Sequence, residues 1–165
     1  MQRLRRLTAA ELFTWAACAV AVAGAVVAIA IPAGGTNRVQ GAALPLAIGA
    51  AVLAANALTW QRHMLGGLLY AAAALAILYG ILLALSVPLR LAVEGTCPLA
   101  SASCPLGFEY PATAGENFAV YAATICGAVS LILLFIAFEL RFLRKPRPVR
   151  DETAPQRDQS GPPTP

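Results

Sequence analysis

The sequence predicts an all-α fold: an integral membrane four-helix bundle, both termini inside, with one disulfide-stapled outer loop. Three observations carry this expectation. Of 165 residues, 59% are hydrophobic and only 12% charged, with a mean hydropathy of +0.69. That is about half the charged fraction of an ordinary soluble domain. The apolar residues fall into four long runs, and the basic residues gather at the edges of those runs rather than across a surface. The formal charge of +4 therefore reads as a membrane flank, and no nucleic-acid partner is expected.

The first run, residues 12–31, is LFTWAACAVAVAGAVVAIAI and carries no charge. At 1.5 Å per residue it crosses about 30 Å of hydrocarbon. Pro32 and Gly34-Gly35 end it. A cleaved leader competes for this stretch, with RLRR as its basic start and AIA at 28–30 as its cleavage site. The run exceeds the apolar core of roughly 7–15 residues that leaders use, so a retained span is expected. The second run, 42–59, is the shortest, and Pro45 falls in its first turn, where a missing N–H costs little. The third, 64–87, is expected to stop at Pro88, and the fourth is 118–140.

These four spans make one membrane domain, 1–145. A polar outer loop, 88–117, separates the third span from the fourth. The last stretch, PRPVRDETAPQRDQSGPPTP at 146–165, has almost no large apolar residue and many prolines. It cannot bury enough surface to offset ordering and is expected to be a disordered cytoplasmic tail.

Orientation follows from Lys and Arg. Arg3, Arg5 and Arg6 precede the first span, Arg62 lies between the second and third, and Arg141, Arg144, Lys145, Arg147 and Arg150 follow the fourth. The other side has Arg38 and Arg90, together with Glu94, Glu109 and Glu116. The positive-inside bias puts both termini in the cytoplasm and loop 88–117 outside a plasma membrane. Trp15 and Trp60 fall near the cytoplasmic interface, where an indole keeps its N–H hydrated.

Small residues predict how the spans pack. Ala17, Ala21, Ala25 and Ala28 line one side of the first span; Ala47, Ala51 and Ala55, with Gly49 nearby, do so in the second; Gly66, Gly67 and Ala71–Ala74 thin the start of the third. Such faces let helix backbones approach, and in lipid that contact drives association. Among the polar groups within spans, Asn56, Tyr79, Thr124 and Ser130 are expected to bond within or between helices. Asn56 lies near the headgroup level.

Little chemistry is encoded. No Asp, Glu, Lys, Arg or His sits mid-span, which argues against a pump or proton-coupled transporter. The single histidine, His63, lies in a cytoplasmic turn, so no haem is expected from one chain, nor any other cofactor or metal site. Cys18 and Cys126 are in spans at different depths and read as small apolar fillers. Cys97 and Cys104, each followed by Pro-Leu, lie in the outer loop, where disulfides persist. Their pairing is expected to be structural. The reactive Cys-x-x-Cys of four-span quinone-linked thiol oxidases does not occur in the chain.

The expected function is that of a non-catalytic accessory or scaffolding subunit in a complex with other membrane subunits, with Phe108, Glu109 and Tyr110 as partner surface. Two alternatives stand beside it. One is a membrane thiol–disulfide oxidoreductase using Cys97, Cys104 and Cys126. The other is a small channel or lipid transporter.

Overall fold

A computed structural model of the chain describes residues 8–30, 38–59, 63–97 and 104–143. The tail at 146–165, the basic residues at 3–6, Trp60 and Arg62 lie outside the described residues. Four helices are long and apolar enough to cross a membrane. They are built on α1 (Ala9–Ala30), α2 (Ala43–Leu58), α3 (His63–Glu94) and α4 (Ala114–Phe138), and the second reaches spanning length only with the turn before it, as Arg38–Leu58. A 3₁₀ turn, Arg38–Ala42, leads into α2, and a π-helical turn, Glu139–Leu143, extends α4.

Two helix starts lie earlier than hydropathy places them, and a local signal explains both. Thr8-x-x-Glu11 and Thr113-x-x-Glu116 are capping boxes. Glu11 accepts from the Thr8 N–H at 2.7 Å while the Thr8 hydroxyl accepts from the Glu11 N–H at 3.3 Å. Thr113 and Glu116 repeat the exchange at 3.0 and 3.1 Å. Each box lets a helix begin in polar sequence before its apolar run.

Pro88 does not end the third helix. α3 continues through it to Glu94. Proline removes one N–H and crowds the preceding turn, yet helices that pack against neighbours tolerate it. The turn is braced by Ser86, whose hydroxyl donates to the Leu83 carbonyl at 2.7 Å. The connection between α3 and α4 therefore shrinks from the expected 88–117 to about 95–113.

The helices form a closed four-cornered bundle. α1 packs on α2 and α4, and α3 packs on α2 and α4. Interior spine residues recur at spacings of four and three, with Ala25, Ala43, Ala50, Ile81 and Ala119 buried beside them. In α3 they are Gly66, Tyr70, Ala73, Ile77, Gly80, Ala84 and Val87. In α4 they are Glu116, Val120, Ala123, Gly127, Ser130, Leu134 and Ala137. α1 follows the same rhythm through Ala10, Thr14, Ala17, Ala21, Gly24 and Ala28. α2 and its leading turn follow it through Val39, Ala42, Leu46, Gly49, Leu53 and Asn56. A period of 3.5 is that of left-handed supercoiled packing, in which each side chain enters a hole on the facing helix.

Most of those side chains are small, so the helices approach closely and one large residue fills the middle. Leu46 of α2 lies against three glycines on three helices. A Cβ added at Gly24, Gly80 or Gly127 would meet its side chain at 3.5, 2.9 and 3.7 Å. Ile77 covers Gly49 and Ile81 covers Gly127 in the same manner.

The alanine stripe expected in α1 is buried, but the one expected in α2 is not. Ala47, Ala51 and Ala55 face outward, while Leu46 and Leu53 turn inward beside Gly49 and Ala50. Alanine fits either face of a helix. The glycine hollows need the bulk of leucine, and that need sets the rotation of α2. In α3, Gly66 and Ala73 are buried while Ala71 and Ala72 are exposed.

Candidate functional site

The loop end of the bundle carries the most organised polar structure. α3 ends at Gly95, whose φ of +84° is the left-handed conformation that closes a helix without Cβ strain. Residues 108–110 lie alongside 95–97 in the same direction, with Thr96 and Glu109 forming a parallel bridge. Glu109 donates its N–H to the Gly95 carbonyl at 3.2 Å and accepts from the Cys97 N–H at 3.0 Å. The Phe108 ring lies 3.1 Å from where a Gly95 Cβ would stand. A turn at Pro105–Phe108, closed by the Phe108 N–H on the Pro105 carbonyl at 3.1 Å, needs Gly107 at φ +93°. The disulfide Cys97–Cys104 holds the two limbs together, with Cα atoms 5.7 Å apart.

Arg38 locks this cap to the bundle. From the turn before α2 its guanidinium reaches three groups of the α3–α4 connection and α4. Nη1 donates to Glu109 at 2.8 Å, Nε to Glu116 at 3.2 Å, and Nη2 to the Tyr110 carbonyl at 3.0 Å. Glu116 is 2% exposed and spends its other oxygen on the Thr113 N–H. One buried carboxylate thus caps α4 and anchors Arg38 at once.

The expected partner residues separate. Phe108 and Tyr110 project outward, each about half exposed, and Leu106 is fully exposed. Glu109, between them in an extended run, turns the other way onto Arg38. Alternation along extended chain accounts for the split. Glu109 is therefore a holding residue beneath an apolar surface. Arg38, Cys104, Phe108, Glu109 and Tyr110 together line a surface cavity of about 260 Å³.

The opposite end holds a second polar cluster. The Thr14 hydroxyl donates to the Ala10 carbonyl at 2.8 Å, so the Tyr70 hydroxyl, 2.7 Å away, donates to Thr14. Arg141 folds back to donate to Asn56 Oδ1 at 3.2 Å and lies over the Tyr70 and Phe142 rings. Gly66 gives it room, since a Cβ there would stand 2.9 Å from Arg141 Nη2. Asn56 is fully buried between the helices, and among the described residues its Nδ2 has no hydrogen-bond partner.

Ser130 donates to the Ala17 carbonyl at 2.8 Å, joining α4 to α1. Tyr79 is exposed, and the Thr124 hydroxyl makes no hydrogen bond among the described residues. Cys18 and Cys126 are free thiols. Cys18 donates to the Ala50 carbonyl at 3.3 Å, while Cys126 packs beside Gly24. With α4 beginning at Ala114, Cys126 is twelve residues in, about 18 Å along the helix from its start. Among the described residues no three His, Cys, Asp or Glu side chains form a group that could hold a metal ion.

The roles of Arg38 and Arg141 carry no local signature, and from residues alone both read as topology signals. The Thr-x-x-Glu pattern at 113–116 was the available sign that Glu116 has work inside the fold. Comparison with known protein families, curated proteins and solved structures finds no match for this chain.

Proposed function

We propose that the chain is a four-span protein of the plasma membrane, termini cytoplasmic and residues 95–113 outside. We propose further that it serves as a non-catalytic accessory or scaffolding subunit of a membrane complex. Its outward faces support insertion. Leu12, Val26 and Ile29 of α1, Leu68, Leu75 and Leu82 of α3, and Phe118, Ile125 and Ile132 of α4 are all exposed. An apolar surface this continuous would drive aggregation in water and suits lipid.

The observation that carries the accessory role is the outer cap. Leu106, Phe108 and Tyr110 are apolar and exposed, yet the backbone beneath them is fastened by a disulfide, an ion-paired arginine and a capping box. Rigid aromatic anchors lose little entropy on contact, which is how interface hot spots work. The partner that fits is the outer face of another membrane subunit offering an apolar pocket.

Site-specific photocrosslinking in native membranes tests this. A photoreactive residue at 108 or 110 is expected to give one discrete adduct, lost when Arg38→Gln unfastens the cap, with none at exposed Leu75. Adducts equally from 75 and 108, or purification of the native protein only as a monomer, would count against the role. Reporter fusions after residue 145 and within the loop test orientation.

The thiol–disulfide alternative draws support from Cys104, which lines the cap cavity and so presents a reachable sulfur. The depth of Cys126 along α4 weakens it, because exchange needs sulfur-to-sulfur contact. Thiol trapping that finds Cys97–Cys104 oxidised throughout growth, with unaltered behaviour of Cys126→Ser, removes it.

A further inference from the structure

We infer that a second cavity beside the cap, between α3 and the turn before α2, is a binding site for the phosphate headgroup of a glycerophospholipid. Its volume is about 250 Å³, and its lining combines charged and apolar side chains. Arg38, Arg90 and Glu109 contribute the charge, Leu83 and Val87 the apolar contact, and Ser86 a hydroxyl.

Arg90 is the residue that marks the chemistry. Had α3 ended at Pro88, Arg90 would sit in loose chain. The helix instead carries it to the level of Arg38 and Glu109. Arg38 is committed to two carboxylates and a carbonyl. Arg90 is exposed and forms no ion pair with any described residue. A guanidinium with its fork open in the lining of a cavity matches a phosphate diester through paired, charge-assisted hydrogen bonds. Ser86 spends its proton on the Leu83 carbonyl and therefore offers a lone pair. Glu109 gives one oxygen to Arg38 and keeps the other for a headgroup donor.

The apolar half of the ligand follows from the same helix face. Tyr79 and Leu82, seven and four residues before Ser86, are exposed and continue downward from the cavity. An amphiphile with its phosphate at Arg90 lays its chains along them. A free anion would use Arg90 and gain nothing from Leu83 and Val87. This assignment rests on membrane insertion but not on the accessory role.

The test uses the full chain purified in an uncharged maltoside detergent. Dihexanoylphosphatidylethanolamine, inorganic phosphate and dihexanoylglycerol are titrated separately, with calorimetric or thermal-shift readout. The phospholipid is expected to bind tightest, and each of the other two at least about tenfold more weakly. That factor corresponds to losing one charge-assisted contact. Arg90→Gln is expected to weaken phospholipid binding about tenfold, and Arg90→Lys by less.

A second variant keeps the test independent of charge. Gly41 lines the cavity, and a Cβ there meets nothing within 4 Å. Gly41→Phe adds a ring at the cavity lining without a clash at its Cβ and is expected to weaken binding similarly. Unchanged affinity in both Arg90→Gln and Gly41→Phe overturns the site. Inorganic phosphate binding as tightly as phospholipid overturns the lipid. Recovery of the protein outside the membrane fraction would instead refute insertion, and fractionation of the same cells reads that separately.

Discussion

The three-glycine seat of Leu46 offers a sharp energetic test. Replacing Leu46 by Ala empties the hollow formed by Gly24, Gly80 and Gly127. In water such a change costs about 2.7–5.0 kcal/mol. About 2.4 kcal/mol of that is transfer of three carbons at about 0.8 each. In a micelle the unfolded helices keep those carbons in apolar surroundings, so that part falls away. The lost packing that remains is roughly 0.3–2.6 kcal/mol. The upper half is expected, because the removed carbons touch three helices. Gly80→Ala acts in the opposite sense. Its methyl would stand 2.9 Å from Leu46 Cγ and 3.3 Å from the Ala42 carbonyl oxygen. Overpacking costs about 1–3 kcal/mol, offset by up to about 1 kcal/mol of helix propensity. Combined, the methyl moves into the space Leu46 vacated. The double variant should be more stable than the sum of the singles by about 1–3 kcal/mol, within the range for touching residues. Equilibrium unfolding in mixed micelles, followed by tryptophan emission and circular dichroism, measures the cycle. Additivity within about 0.5 kcal/mol would mean that Leu46 and Gly80 do not meet and that the knob-in-hollow account is wrong.

The other predictions concern the polar fastenings. Arg38→Gln leaves Glu116 buried without its cation, a loss of about 3–5 kcal/mol for a fully buried pair and toward the lower figure here, since Arg38 keeps 22% exposure. Limited proteolysis should cut within 95–113 while the helices stay intact. Under denaturing conditions without reductant, maleimide should label two thiols, Cys18 and Cys126, and reductant should add Cys97 and Cys104. Cys97→Ser should lower cap stability by about 2–3 kcal/mol, the loop-closure value for a ring this short, with helical content unchanged by circular dichroism. Ser130→Ala should cost about 0.6 kcal/mol and at most about 2, read in the same unfolding assay. A loss beyond that range would show that the bond to Ala17 couples to more than two helices.

Some elements were legible from residues alone, and the physical reason differs in each case. The four helices follow from unbroken apolar runs, because an uncharged stretch of that length admits few other structures. The Cys97–Cys104 pairing was legible from its isolation in a polar loop. The starts of α1 and α4 were recoverable only from Thr8-x-x-Glu11 and Thr113-x-x-Glu116, a capping pattern that hydropathy does not register. Pro88 misled, since its local cost was outweighed by a helix already held by its neighbours. In α2 the alanines at 47, 51 and 55 misled because alanine has no preferred face in an apolar bundle. The four–three alternation of Gly66, Tyr70, Ala73, Ile77, Gly80, Ala84 and Val87 was present in the sequence as a rhythm of mostly small residues.

The sequence by itself determined the number of helices, their lengths to within a turn or two, and the disulfide. These depend on composition along the chain, which is local information. Only the tertiary structure decided that Leu46 fills three glycine hollows, that Arg38 holds Glu109 and Glu116, and that Arg141 folds back on Asn56. Arg38 and Glu116 stand 78 residues apart, as Arg141 and Asn56 stand 85 apart. No local pattern relates such positions. Their pairing follows from the rotation of each helix about its own axis, and that rotation is set by which side chains fill the hollows of the facing helices.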